Sequence, residues 1–296
     1  MEERSIVRTW AMRSTMHLLA TEDIGWVLPL FDPGLAADSR RRLGQLGLDA
    51  RTQDNALDAI RAALQSEGYL GRSELVEMLG RLGIEIDAAR RVHLFRLATG
   101  EGLAILGPDR GAETLLALAS EWVGERPPHD RDAALTELTR RYVRAFGPAT
   151  EADFAGWSGL PLRDVRAGLG RIAGELTELR IGEKPAWTLR SGARRTRGRI
   201  VRLLPAWDNY LMGHRDRDFI AGPERWPVVM PGGGLIRPTI LVDGVAVGTW
   251  SIRRKGRRIE IELDPFEELD DETTKALSEE IQDVERFEAG PTGGRP

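Results

Sequence analysis

Six polar side chains crowd ten residues of the stretch "PAWDNYLMGHRDR": Asp208, Asn209, His214, Arg215, Asp216 and Arg217. A carboxylate beside an amide can hold a water or steady a developing positive charge, and an imidazole can move a proton. The guanidinium of Arg215 or Arg217 suits a phosphate. The plainer reading of the same residues is an Asp208–Arg217 ion pair tying two loops together. A second group is His17 in "RSTMH"; on a single extended strand, alternation puts Arg13, Thr15 and His17 on one face, although a lone strand histidine can equally be structural. A third is the run Arg253, Arg254, Lys255, Arg257 and Arg258 around Gly256, a basic hairpin tip able to reach a phosphate backbone or simply to sit in solvent. With no cysteine, and four histidines of which no two stand at helical spacing, neither a metal nor a cofactor is expected.

Positioning such groups requires a frame, and its clearest trace is "FGPATEADFAGWSGLPLRDV". Gly147-Pro148 end one helix, and Thr150 with Asp153 forms a capping box for a helix that carries Phe154 and Trp157 inward. Ser158-Gly159 stop it, and Pro161 opens a third helix to about Glu175, with Leu162, Val165, Leu169, Ile172 and Leu176 as its buried stripe. Arg163, Arg166 and Arg171 fall off that stripe. Helix, tight turn and helix with outward arginines is the pattern of a helix-turn-helix.

The pattern occurs twice. Residues 56–118 read as helices in "ALDAIRAAL", "RSELVEMLGRL" and "DAARRVHLFRLATG", then strands "LAILG" and "TLLALA" around a loop "PDRG". Residues 133–189 repeat the order, ending in the hairpin "ELTELRI", "GEK", "PAWTLR", and Ser73-Glu74-Leu75 precedes Ala152-Asp153-Phe154 by 79 positions. Three helices closed by a hairpin are a winged helix, and "GERPPHDRD" is the connection between the copies. Beyond Thr196, "RIVRLLP", "IRPTILVDG", "VAVGTWSI" and "RRIEIEL" read as strands, with Asp243-Gly244 a hairpin turn, and a small β-barrel or a curled sheet is expected. "MPGGGLI" lacks the spacing of a phosphate loop. An acidic helix over 270–288 covers the strands or imitates DNA, and "GPTGGRP" frays. At the start, "SIVRTWAMRSTMHLL" reads as one strand and "TEDIGWVLPLF" as a helix capped at Thr21.

The fold class is therefore α+β, with boundaries at 1–50 (a strand-plus-helix remnant of a further winged helix), 51–125 and 126–195 (winged helices) and 196–296 (barrel and terminal helix). The net charge of −4 conceals an asymmetry: residues 259–296 hold 13 acidic and 3 basic side chains, leaving +6 on the rest. Only three of 42 basic residues are lysines, a bias that suits phosphate and base-edge contact and also follows from a GC-rich genome. Trp207 and Tyr210 are candidates for stacking on an exposed base. No apolar run is long enough for a membrane span and no signal peptide begins the chain, so a cytoplasmic protein is expected, with nucleic acid and not lipid as its expected partner.

Four stretches in order, "VRTWAMRSTMHLLATEDIGWVL", "RYVRAFGPATEADFAGWSGLPLRDVRAGL", "LLPAWDNYLMGHRDR" and "IRPTILVDGVAVGTW", resemble the bacterial winged helix DNA-binding domain family that includes glycosylases for interstrand crosslinks and bulky alkylated bases. The resemblance implies tandem winged helices around a C-terminal β-barrel and a concave basic surface for double-stranded DNA; alkylated or crosslinked DNA is the expected partner and a monomer the expected state. The resemblance also implies catalysis by Gln-x-Gln or Gln-x-Asp in an N-terminal winged helix. This sequence contains neither; in "TQDN", Gln53 and Asp54 are adjacent. Either an unread upstream segment supplies the missing unit or the chain binds DNA without that pair. For a lesion base that already carries positive charge, only modest help is needed, and Asp208, Asn209 and His17 are the candidates to give it. Arg13, Thr15, Arg163, Arg166, Arg215, Arg217, Arg253, Arg254, Lys255 and Arg257 are the candidate DNA contacts, and a sequence-specific regulator using the third helix is the alternative.

Overall fold

A computed structural model describes residues 4–124, 130–191, 198–255 and 258–289. The chain divides into two units, Met1–Arg141 with Arg163–Gly174, and Tyr142–Leu162 with Glu175–Pro296. The connection at 125–129 and the tail "GPTGGRP" lie outside the described residues.

The first unit begins with two strands where the sequence predicts one. "SIVRTWAMRSTMHLL" is a hairpin of β1 (Ile6–Trp10) and β2 (Met16–Ala20), Trp10 opposite Met16, turning at Arg13 and Ser14 with φ of 54° and 56°. Left-handed backbone normally calls for glycine or asparagine, so a turn built from arginine and serine carries no sequence signal. Thr21 caps no helix either: its hydroxyl donates to the Arg4 carbonyl, and the chain runs through a 3-10 turn into α1 (Ile24–Val27). Then come α2 (Asp32–Gln45), absent from the sequence reading, and α3 (Ala50–Glu67), capped by Asp49, which accepts from the Thr52 amide at 2.8 Å. Next are β3 (Tyr69–Leu70), α4 (Arg72–Arg81), α5 (Ala88–Gly100), β4 (Ala104–Arg110), β5 (Glu113–Leu118) and α6 (Ala119–Val123). Most of the expected loop "PDRG" belongs to β4.

These strands form one antiparallel sheet in the order β2-β1-β4-β5-β3. One face packs Leu106 and Leu116 against Ile60, Leu64, Leu75 and Leu97; the other packs Ile105 and Ala117 against Val7, Ile24, Leu28 and Trp122. Burial on both faces explains why "LAIL" is continuously apolar and does not alternate.

α7 (Arg131–Phe146), α8 (Glu151–Ser158) and α9 (Leu162–Arg171) follow. Within the first unit, Gly168 of α9 lies so near α7 that a Cβ would come 2.2 Å from Thr139 Oγ1, and Arg131–Asp164 (2.8 Å) and Arg171–Asp132 (2.6 Å) pair the two helices. Val165, Leu169 and Ile172 are buried as expected, but Leu162 is 44% exposed, because at the first helical residue it precedes the turn that reaches the core.

The second unit holds α8, the two-stranded β6 (Leu176–Ile181) and β7 (Lys184–Leu189), and then β8 (Val201–Leu204), α10 (Asn209–Met212), α11 (Asp218–Val229), β9 (Thr239–Val242), β10 (Val245–Lys255), β11 (Arg258–Pro265) and α12 (Asp271–Ala289). Asp243 and Gly244 turn β9 into β10 at φ of 49° and 87°, the paired left-handed residues of a two-residue hairpin. The expected barrel is not closed: the sheet runs β11-β10-β9-β8 and ends in two edges. Helices remove the need for closure. One face packs Leu241 and Ala246 on Leu211, Ile220 and Val229, and the other packs Val201, Ile240 and Trp250 on Leu277 of α12. The acidic helix is thus a cover. Asp270 at its start accepts from the Thr273 amide and from Arg199, which hold its carboxyl down at about 2.

The offset of 79 is also geometric. The Gly71 amide donates to Glu74 (2.6 Å) as the Thr150 amide donates to Asp153 (2.8 Å), each cap followed by a buried Leu75 or Phe154. Leu70 pairs with Leu116 of β5, and Ala149 bridges to Trp187 of β7.

Candidate functional site

Two of the stretches singled out by sequence meet within the second unit. The end of α7 and the start of α8 face the segment from Tyr210 to Phe219 around a cavity of about 820 Å³. Its apolar wall is Phe146, Pro148, Ile181 and Phe219, and Lys184, Arg215, Asp216 and Asp218 supply charge. The fit is close: at Gly213 a Cβ would come 2.2 Å from the Phe146 ring, and at Gly147 it would come 2.5 Å from the Val143 carbonyl. Behind the wall, Tyr142 stacks on Phe154 at 4.5 Å and donates its hydroxyl to the Gly213 carbonyl at 2.8 Å. Burial, with the Asp153 charge, pushes that phenol far up, so it stays a donor.

Most polar groups here are committed to holding the frame. Burial pushes the Asp153 carboxyl up, but hydrogen bonds from the Thr150 hydroxyl and amide and from the Arg215 amide, with His214 nearby, outweigh it and hold the group below the usual range. His214 donates Nε2–H to the Phe146 carbonyl at 2.9 Å, its Nδ1 is buried, and its ring meets Phe219 edge-on at 5.0 Å. The Asp208–Arg217 ion pair does not form. Asp208 caps α10 by accepting from the Tyr210 amide (2.8 Å), while Arg217 donates to the His214 carbonyl (2.8 Å) and lies over Trp226. A short carboxylate side chain two residues before an amide finds that local partner first. Asn209 is exposed beside it. Arg215 and Lys184 remain at the cavity, with Lys184 4.0 Å from Asp216.

Trp207 stands apart from this wall, 54% exposed, its Nε1–H given to the Gly234 carbonyl at 2.8 Å. Tyr210 is half-buried, its hydroxyl donating to the Gly244 carbonyl at 2.9 Å, and burial raises its pKa. At the β10–β11 hairpin, Arg253 pairs with Glu262 (2.7 Å) and Arg254 with Glu288 of α12. Lys255 ends β10, and Arg257 lies outside the described residues.

In the first unit the turn between β1 and β2 brings Thr15 and His17 together, Oγ1 to Nε2 at 2.8 Å, with the Met12 carbonyl 3.2 Å from the same nitrogen. Arg13 is not on their strand face; it forms the turn itself. Burial lowers the His17 pKa, the Met12 carbonyl raises it, and the Arg13 charge lowers it, so the ring is neutral at neutral pH. Arg163 is 85% exposed, 3.6 Å from Asp164, and Arg166 is also exposed, both on the outer side of α9. Gln53, the glutamine nearest in kind to the sought motif, is buried and donates to the Leu48 carbonyl at 2.7 Å. No cluster of three metal-ligating side chains occurs among the described residues.

Sequence reasoning missed Phe146, Phe219 and Lys184 as cavity residues. The only sequence signal for the two aromatic residues is placement beside Gly147-Pro148 and "RDRD".

A family model described as DNA glycosylase AlkZ-like matches residues 1–287. The interstrand DNA cross-link repair glycosylase of Streptomyces sahachiroi is 27% identical over 298 residues, covering 95% of this chain and 79% of that protein. The solved structure of Streptomyces sahachiroi DNA glycosylase AlkZ superposes with a TM-score of 0.78 at 25% identity, over 97% of this chain and 80% of that one. With one family matched across nearly its whole length, in sequence and in fold, this chain belongs to the AlkZ-like DNA glycosylases.

Proposed function

We propose that this chain binds double-stranded DNA bearing alkylated or crosslinked bases and acts in their repair. The observation that carries the reading is the match to an interstrand cross-link repair glycosylase over 95% of the chain. In this reading the two helical trios with hairpins, 51–125 and 126–195, are winged helices, 1–50 belongs to a further one, and 196–296 is a strand-rich domain. The outward Arg163 and Arg166 on α9, Arg13 and Thr15 at the first turn, Arg215 and Arg217, and the basic β10–β11 tip are its phosphate contacts. The protein acts as a monomer without a cofactor.

Release of a base that already carries positive charge needs a group to hold water and one to steady the cationic sugar. Gln-x-Gln and Gln-x-Asp are missing from this sequence, and Asp208 is spent as a helix cap, which leaves the neutral His17 beside Thr15 as the better candidate. The matches are to a base-removing enzyme and lend no support to a promoter-reading regulator.

The test is to incubate the chain with duplexes that are undamaged, N7-alkylated or crosslinked, scoring binding and base release separately. Binding to the damaged duplexes supports the reading, and release that is abolished in His17→Ala assigns the catalytic role. Failure to bind any of the three at low salt overturns it.

A further inference from the structure

We propose that Trp207 is a stacking platform for an unpaired nucleobase, a proposal that rests on the reading of the chain as a duplex-DNA binder. The indole is 54% exposed, and its backbone sits at φ +58°, a left-handed conformation that costs a bulky L-residue free energy. Its Nε1–H is fixed to the Gly234 carbonyl at 2.8 Å. That carbonyl is delivered by Gly232, Gly233 and Gly234 at φ of 105°, 62° and 79°, a run of backbone that side-chain-bearing residues rarely adopt. Both ends of the loop are pinned as well. The Leu204 carbonyl, just before it, accepts from Trp250 Nε1 at 2.8 Å, and Asp208, just after it, caps α10.

The left-handed Trp207 and the glycine run thus cooperate to hold a large apolar ring outward, and the ring is absent from the two apolar clusters described above for its unit. With its only donor already used, the indole has nothing left to offer but its π-faces. A partner recognised in that way is planar and is chosen without regard to hydrogen-bonding pattern, which describes a nucleobase out of its pair. Fixing the ring beforehand removes the ordering cost that a mobile tryptophan would meet on binding.

The experiment measures affinity of the full chain for two labelled duplexes that differ only by one unpaired base, using the parent, Trp207→Ala and Trp207→Phe. The parent should prefer the duplex with the unpaired base. Trp207→Ala should lose about tenfold on that duplex and nothing on the paired one, and Trp207→Phe should keep most of the preference. The paired duplex serves as the folding control. Equal loss on both duplexes would assign Trp207 to scaffolding and overturn the proposal, as would a parent with no preference. A parent that binds neither duplex would bring down the DNA reading itself.

Discussion

The two helical trios use the same local code and end differently. In the first, the hairpin β4–β5 is enclosed: Ala104 to Leu106 and Leu115 to Leu118 are buried, because β1 and β3 flank the hairpin and apolar clusters cover both its faces. In the second, β6–β7 is a sheet of two strands, and beyond Leu176 every residue of β6 is exposed, Leu179 and Ile181 among them. The caps diverge in the same way. Glu74 is an exposed cap shared with Arg110, whereas Asp153 is buried and also holds the Arg215 amide. Identical helix signals thus yield a scaffold where neighbouring strands close over the hairpin, and an available surface where none do.

The largest effects should come from the residues that the repeat makes equivalent. Phe154→Ala is expected to cost about 3–5 kcal/mol and Leu75→Ala about 2–5 kcal/mol in denaturant unfolding, since each truncates a fully buried side chain after a cap. A loss below about 1 kcal/mol at either would break the equivalence. Asp153→Asn should follow at about 2 kcal/mol, because it weakens several hydrogen bonds to one buried carboxylate. Glu74→Gln should cost clearly less, and an equal loss would show that burial does not separate the two caps.

Acid should affect the units through different groups. The folded-state pKa of His17 lies below the ordinary value, so the unfolded chain takes up the proton first. Its contribution is present above the usual histidine pKa and is lost as pH falls below it, and His17→Gln should flatten stability as pH falls through and below the ordinary histidine range. Asp270, held at about 2, contributes above the ordinary carboxylate pKa and loses that contribution as pH falls toward its folded value, so Asp270→Asn should remove that part of the acid response. Thermal melts across pH read both, and unchanged profiles in the variants would contradict the assignments. The smallest effect belongs to the open hairpin: Leu179→Ala should change stability by about 0.5 kcal/mol or less, and a core-sized loss would mean that β6 is covered in solution.

Much of the frame was legible in the sequence because its signals are local. The Thr150–Asp153 box, the Gly159 stop, the Asp243-Gly244 turn and the four C-terminal strands each follow from a few neighbouring residues. What depends on distant neighbours was not legible. The Arg13-Ser14 turn lacks turn residues, α2 has a weak apolar stripe, and α11 carries Pro223, Pro227 and a left-handed Gly222 inside it. Four strands by themselves cannot reveal whether a sheet closes or is covered by helices. The polar constellation around Asp208 was found, but its roles were not: a cap, a backbone carbonyl and a tryptophan face took the groups that spacing alone left free.

Duplex binding by electrostatic contact is tested most directly by the affinity of the purified chain for undamaged duplex across a salt series. Tight binding is expected at low salt, with a log–log slope of roughly −0.9 per phosphate contacted and a shallower slope for the Arg163→Gln, Arg166→Gln double variant. A chain that fails to bind at low salt, or whose affinity is indifferent to salt, would contradict it.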